Sequence, residues 1–85
     1  MLRSPEHLRS VVDRDGAVIL DIPANQMTTL NSAGAYIWEQ LQKGKTPAFI
    51  AAELARDTDT PEAAVARDVD EFIESLLSKH LLFHQ

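Results

Sequence analysis

Three sets of side chains in this sequence have the types and spacing from which chemistry is built. His80 and His84 stand four residues apart, the separation at which two imidazoles share one helical face and could grip a metal ion. Two ligands beside a chain terminus, with no evident third donor, fall short of a metal site, so the bland reading is a pair of solvent-exposed terminal histidines. The chain has no cysteine, which excludes disulfides, thiolate ligands and cysteine nucleophiles outright. Asp68, Asp70, Glu71 and Glu74 crowd one segment, and paired carboxylates divide acid and base roles when burial drives their pKa values apart. These four lie between apolar residues, which marks them as the solvated face of an amphipathic helix, with an acidic patch for a basic peptide as the functional alternative. Gly16, Gly34 and Gly44 are too far apart to cradle a phosphate. No nucleophile, base and orienting partner come together, so the sequence reads as a binding protein, with no enzymatic activity, metal or cofactor implied.

Bulk properties narrow the partners. At 85 residues, 45% hydrophobic and 25% charged, the chain is expected to be one soluble domain spanning residues 1–85. A domain this small buries a modest fraction of its surface, so a bound partner would add to its order. A formal net charge of -5 opposes the attraction to phosphate on which nucleic-acid binding rests. Met1 to His7 contains no apolar signal core, and no stretch approaches a membrane span, so a cytoplasmic protein without membrane contact is expected.

The elements that must position any site follow from periodicity. Residues 8–13 alternate, Asp15-Gly16 marks a tight turn, and Ala17 to Ile22 form a second β-prone run, giving a hairpin. Pro23-Ala24-Asn25 supplies another turn before a brief third strand, Gln26 to Leu30. Asn31 or Ser32 caps a helix whose Ala33, Ile37, Trp38 and Leu41 recur at helical spacing until Lys43-Gly44. Trp38 on that face is expected in the core, whereas Met27 alternates away from Thr28 and Leu30. Thr46-Pro47 opens a second helix running to about Arg56. Thr60-Pro61 repeats that signature before the longest periodic run, in which Val65, Val69, Phe72, Ile73, Leu76 and Leu77 form one face to about His80. Leu81-Leu82-Phe83 is apolar enough to pack back on the core. The fold class is α+β: a three-stranded antiparallel sheet followed by three helices, winged-helix-turn-helix-like in its parts.

Three short strands cannot close a barrel, so at least one edge keeps unpaired N–H and C=O groups that an extended peptide could complete. The order of elements and several local words resemble the PqqD-like family of leader-peptide recognition proteins. The words are Asp15 to Asp21, Thr29 to Glu39, Asp68 to Leu76 and Leu81-Leu82, the most specific being Leu30-Asn31 followed by small residues and Ile37-Trp38. The resemblance implies a free-standing protein that binds the leader of a ribosomally made precursor peptide and presents it to a modifying enzyme. That enzyme would be a leader peptidase in lasso-peptide pathways or a radical S-adenosylmethionine enzyme in pathways like that of pyrroloquinoline quinone (PQQ). It also implies that the leader adds as a strand to the third strand, at Gln26, Met27, Thr28 and Thr29, against the last helix. The wall would come from Arg67, Asp68, Asp70, Glu71 and Glu74, and the floor from Val69 and Phe72. A proline at Thr28 is expected to remove one edge donor. Two readings of other classes stand beside this one. A winged-helix DNA-binding regulator would need a basic reading helix, and the last helix is acidic; a self-associating module would pair its free edge with a second copy, and monomer and dimer both remain open.

Overall fold

The Asp13 side chain organises the first hairpin. Its Oδ1 accepts hydrogen bonds from the Asp15 N–H at 2.8 Å and the Gly16 N–H at 3.1 Å, closing a two-residue loop of Arg14 and Asp15. The turn thus lies one residue earlier than expected. Gly16 opens the next strand with φ of 156°, and a Cβ there would strike the Leu30 carbonyl oxygen, so only glycine lets the neighbouring strand come this close.

The computed structural model describes residues 2–85; Met1, which begins the N-terminal segment read above, lies outside them. The order is β1 (Leu2–Arg3), β2 (Arg9–Asp13), β3 (Gly16–Asp21), β4 (Gln26–Asn31), α1 (Ser32–Gln42), α2 (Pro47–Thr58), α3 (Glu62–Ser78) and β5 (Phe83–His84). The fold is α+β, a three-stranded antiparallel sheet ordered β2-β3-β4 followed by three helices. β3 is central, pairing Val11 with Val18 on one side and Val18 with Thr29 on the other. The expected third strand is therefore β4, and both β2 and β4 are edges. The β3–β4 turn is held by Asn25 in the left-handed region and by Asp21 Oδ1, which accepts from the Ala24 N–H at 3.2 Å. β1 and β5 form a separate antiparallel ribbon, Leu2 opposite His84 and Arg3 opposite Phe83, which the sequence did not announce.

Asn31 caps α1, its Oδ1 accepting from the Gly34 N–H at 2.8 Å, and Thr46 Oγ1 caps α2 through the Phe49 N–H at 3.2 Å. α2 runs to Thr58 before Asp59 turns left-handed, slightly beyond its expected end. Thr60 does not cap α3. Pro61 occupies that position without a side-chain bond, and Thr60 Oγ1 is engaged with Thr58 Oγ1 at 2.9 Å. α3 stops at Ser78: His80 is left-handed at φ 61°, and the Leu81 N–H returns to the Leu76 carbonyl at 2.9 Å, a Schellman closure. His80 and His84 therefore share no helical face. The same reversal folds Leu81 and Leu82 into the core beside Ile19, Ile37, Leu41, Ile50, Ala51, Val69, Ile73 and Leu76. Trp38 is 2% exposed at its centre, with an indole N–H that has no partner among the described residues. Tyr36 donates its hydroxyl to Glu53 Oε1 at 3.2 Å, tying α1 to α2. Burial, then the Glu53 carboxylate, push the Tyr36 pKa above 10.0. No helix among the described residues is long and apolar enough to cross a membrane.

Candidate functional site: the groove beside the β4 edge

Alternation along β4 sends Thr28 inward, where it is 8% exposed, and Met27 outward, 67% exposed. The main-chain groups follow the same two-residue period. The Leu30 carbonyl points at β3, since it is the atom a Gly16 Cβ would strike, so Thr28 also directs its N–H and C=O toward β3. Met27 and Thr29 consequently present theirs to the open edge. This corrects the expectation for proline at Thr28: that residue's donor belongs to the internal ladder, and the edge donors are those of its two neighbours.

The edge faces a hollow of about 370 Å³ because α3 packs along α2 and makes no substantial contact with β4. Val69, Ile73 and Leu76, at i, i+4 and i+7, bury one stripe of α3 in the core. The stripe beside it, Asp68, Phe72, Ser75 and Lys79, forms the helical wall of the groove together with Leu76 at their border. Thr29, Leu30 and Asn31 form the strand wall, and Ala33, Gly34 and Ile37 of α1 form the base. Gly34 has a direct part in this shape. A Cβ at Gly34 would lie 3.0 Å from Phe72 Cε1 and 3.2 Å from Cζ, so its absence seats the half-buried ring against α1 and keeps the hollow open. A separate, smaller hollow of about 180 Å³ lies at the start of the strand, lined by Gln26 and Met27 with Leu20, Asp21, Ile22 and Asn25.

Of the residues expected at the site, Thr29, Asp68 and Phe72 come together in the groove, and Gln26 and Met27 line the separate hollow at the start of the strand. Val69 is 1% exposed and lies beneath the groove in the core, so Phe72 alone of the expected pair reaches the surface. Arg67, Asp70, Glu71 and Glu74 are exposed on other sides of α3 and do not line the hollow. Of the wall that the resemblance implied, Arg67, Asp68, Asp70, Glu71 and Glu74, only Asp68 thus lines this hollow. The helical wall carries one carboxylate, Asp68, and one ammonium, Lys79, eleven residues or about 16 Å apart along the helix axis. Ser75, Lys79 and the α1 base went unread, although i+4, i+7 and i+11 from Asp68 generate that stripe.

Fold and groove together define a small α+β domain of winged-helix-like build, with one strand edge open beside a helical wall. The chain belongs to the PqqD family: the model described as coenzyme PQQ synthesis protein D matches residues 16–82, from the first residue of β3 to buried Leu82. Among curated proteins there is no match. Similar solved structures include TbiB1 in complex with the TbiA(beta) leader peptide, at TM-score 0.89 and 25% identity, covering 98% of this chain and 96% of that one. A lasso peptide synthetase B1 complexed with its leader peptide has the same fold, at TM-score 0.89 and 23% identity, covering 98% of each chain.

Proposed function

We propose that this protein binds the leader segment of a ribosomally synthesised precursor peptide and presents it to a modifying or processing enzyme. The observation that carries the reading is the unpaired β4 edge set beside a groove with an apolar base. An extended peptide would gain main-chain hydrogen bonds from Met27 and Thr29 and seat side chains in the hollow formed by Gly34 and Phe72. Family membership and the likeness to a leader-bound TbiB1 support the same assignment.

In this reading residues 1–85 act as one recognition domain in the cytoplasm, where the precursor is made, and the chain itself catalyses nothing and carries no cofactor. Its enzyme partner is a leader peptidase of the lasso-peptide type or a radical S-adenosylmethionine enzyme of the PQQ type. The docking residues we assign are Gln26, Met27 and Thr29 on the strand, with Asp68, Phe72, Ser75 and Lys79 on the helix. Asp68 and Lys79 favour opposite charges at the two ends of the docked segment, a preference that salt would weaken.

The test is fluorescence polarisation with a labelled synthetic leader from the precursor gene neighbouring this one. Saturable binding at micromolar concentration or below, lost when the leader is scrambled, is the expected result. Equal binding of native and scrambled peptides would overturn the assignment.

A further inference from the structure

The opposite edge of the sheet is also open. All five residues of β2, Arg9–Asp13, are exposed, and the groove-forming helix α3 lies beside β4, not here. Because the Gly16 N–H is directed at Asp13, residues 9, 11 and 13 face β3 with their main-chain groups, and Ser10 and Val12 turn theirs outward. The side chains divide in register. Ser10 and Val12 stand opposite buried Ile19 and Ala17, while Arg9, Val11 and Asp13 project from the outer face of the sheet.

This strand is complementary to itself. Reversed about Val11, it places Arg9 opposite Asp13, Ser10 opposite Val12, and Val11 opposite Val11. An antiparallel pair of β2 strands would therefore carry two Arg–Asp pairs and a central Val–Val contact on one face, the cross-strand pairs that stabilise sheets. In Asp13 the turn uses Oδ1, which leaves Oδ2 for the arginine of a second copy. Among the described residues the Arg9 guanidinium is held only by exposed main-chain carbonyls of Glu6 and Leu8, each at 3.2 Å, which water can replace. β4 has no such complementarity, since Gln26–Asn31 contains no charged residue.

We propose that β2 is a self-pairing edge, through which two copies of the chain join about a two-fold axis at Val11 into one six-stranded sheet. The two β4 edges then lie at the outer rims, so that each assembly offers two grooves facing away from each other. The pairing rests on β2 alone and is independent of what β4 binds. Five-residue strands bury less than the ~1,000 Å² of a stable interface, so the dimer is weak and concentration-dependent.

The absence of native cysteine makes the geometry testable by single-cysteine variants. Val11 and Met27 are both 67% exposed on the outer face, one on each edge strand, and so form a matched pair. Across the proposed axis residue 11 meets its copy as a non-hydrogen-bonded pair, with Cα atoms about 4.5 Å apart, inside the window for a disulfide. Under mild oxidation, V11C is expected to form cross-linked dimer at least tenfold faster than M27C, with rates normalised to each thiol's reactivity toward a small disulfide reagent. Adding R9E to V11C, which sets like charges opposite each other, should bring the rate down to that of M27C. Circular dichroism checks that each variant is folded. Equal rates for V11C and M27C, a faster M27C, or cross-linking of V11C unaffected by R9E would each overturn the proposal.

Discussion

Gly34→Ala separates the shape of the groove from the stability of the domain. Gly34 stands in the first turn of α1, where alanine's advantage over glycine is at most the about 0.5–1 kcal/mol of a helix interior. Against this, the new methyl would sit 3.0 Å from Phe72 Cε1 and 3.2 Å from Cζ, and overpacking of this kind costs about 1–3 kcal/mol. The lower part of that range applies because Phe72 is only half-buried and its ring can swing toward the hollow. The net effect on stability is therefore between nothing and about 2 kcal/mol, a fall in Tm of no more than about 16 °C for a domain of this size. Leader binding suffers more. A ring displaced into the groove takes the place of one apolar leader side chain, whose burial is worth about 1.5–3 kcal/mol, or roughly 10- to 140-fold in Kd. Polarisation titrations with the labelled leader, run beside thermal unfolding by circular dichroism, measure both quantities. Phe72→Leu in the Gly34→Ala background should recover part of the lost affinity by returning volume to the hollow. Affinity of Gly34→Ala within twofold of the parent would refute the assignment of this hollow as the leader's seat.

Two further outcomes follow from the same geometry. Thr29→Pro removes an edge donor without cutting the β3–β4 ladder, so it should leave the urea midpoint nearly unchanged and weaken leader binding roughly 2- to 12-fold, the value of one net hydrogen bond; Thr28→Pro should instead lower the midpoint, and the reverse pattern would contradict the strand parity. Tyr36 is the single tyrosine, and because its pKa is raised on folding, its stabilising share is complete below pH 10.0 and is lost as pH rises through the higher folded value; ultraviolet absorbance should show it ionising above pH 10 in the folded protein and at a lower pH in Glu53→Gln, and ionisation at or below pH 10 would count against the buried contact with Glu53.

Elements governed by local chemistry were legible before the structure. A cap at Asn31 or Ser32 (the structure places it at Asn31), Thr46-Pro47 as a helix start and the stripe through Val69, Ile73 and Leu76 each depend on residues within a turn or two of one another. The ribbon of β1 and β5 was not, because two-residue strands have no period and their pairing joins opposite ends of the chain. Thr60 misled for a related reason: it precedes a proline like Thr46, but the neighbouring Thr58 engages its hydroxyl. At the site, the resemblance pointed to the strand now seen as an open edge. The helical wall was harder, since polar residues occupy every solvent-facing side of α3, and only its packing on α2 decides that Asp68, Ser75 and Lys79 face the groove while Asp70, Glu71 and Glu74 do not.

Amide hydrogen exchange, followed residue by residue by NMR with and without the leader at one fixed protein concentration, tests the central claim most directly. Leader addition should slow exchange at Met27 and Thr29, whose N–H groups would gain carbonyl partners, and leave Ser10 and Val12 on the opposite edge as they were. Protection that appears at Ser10 and Val12 instead, or none at Met27 and Thr29 when the leader is saturating, would contradict docking on β4.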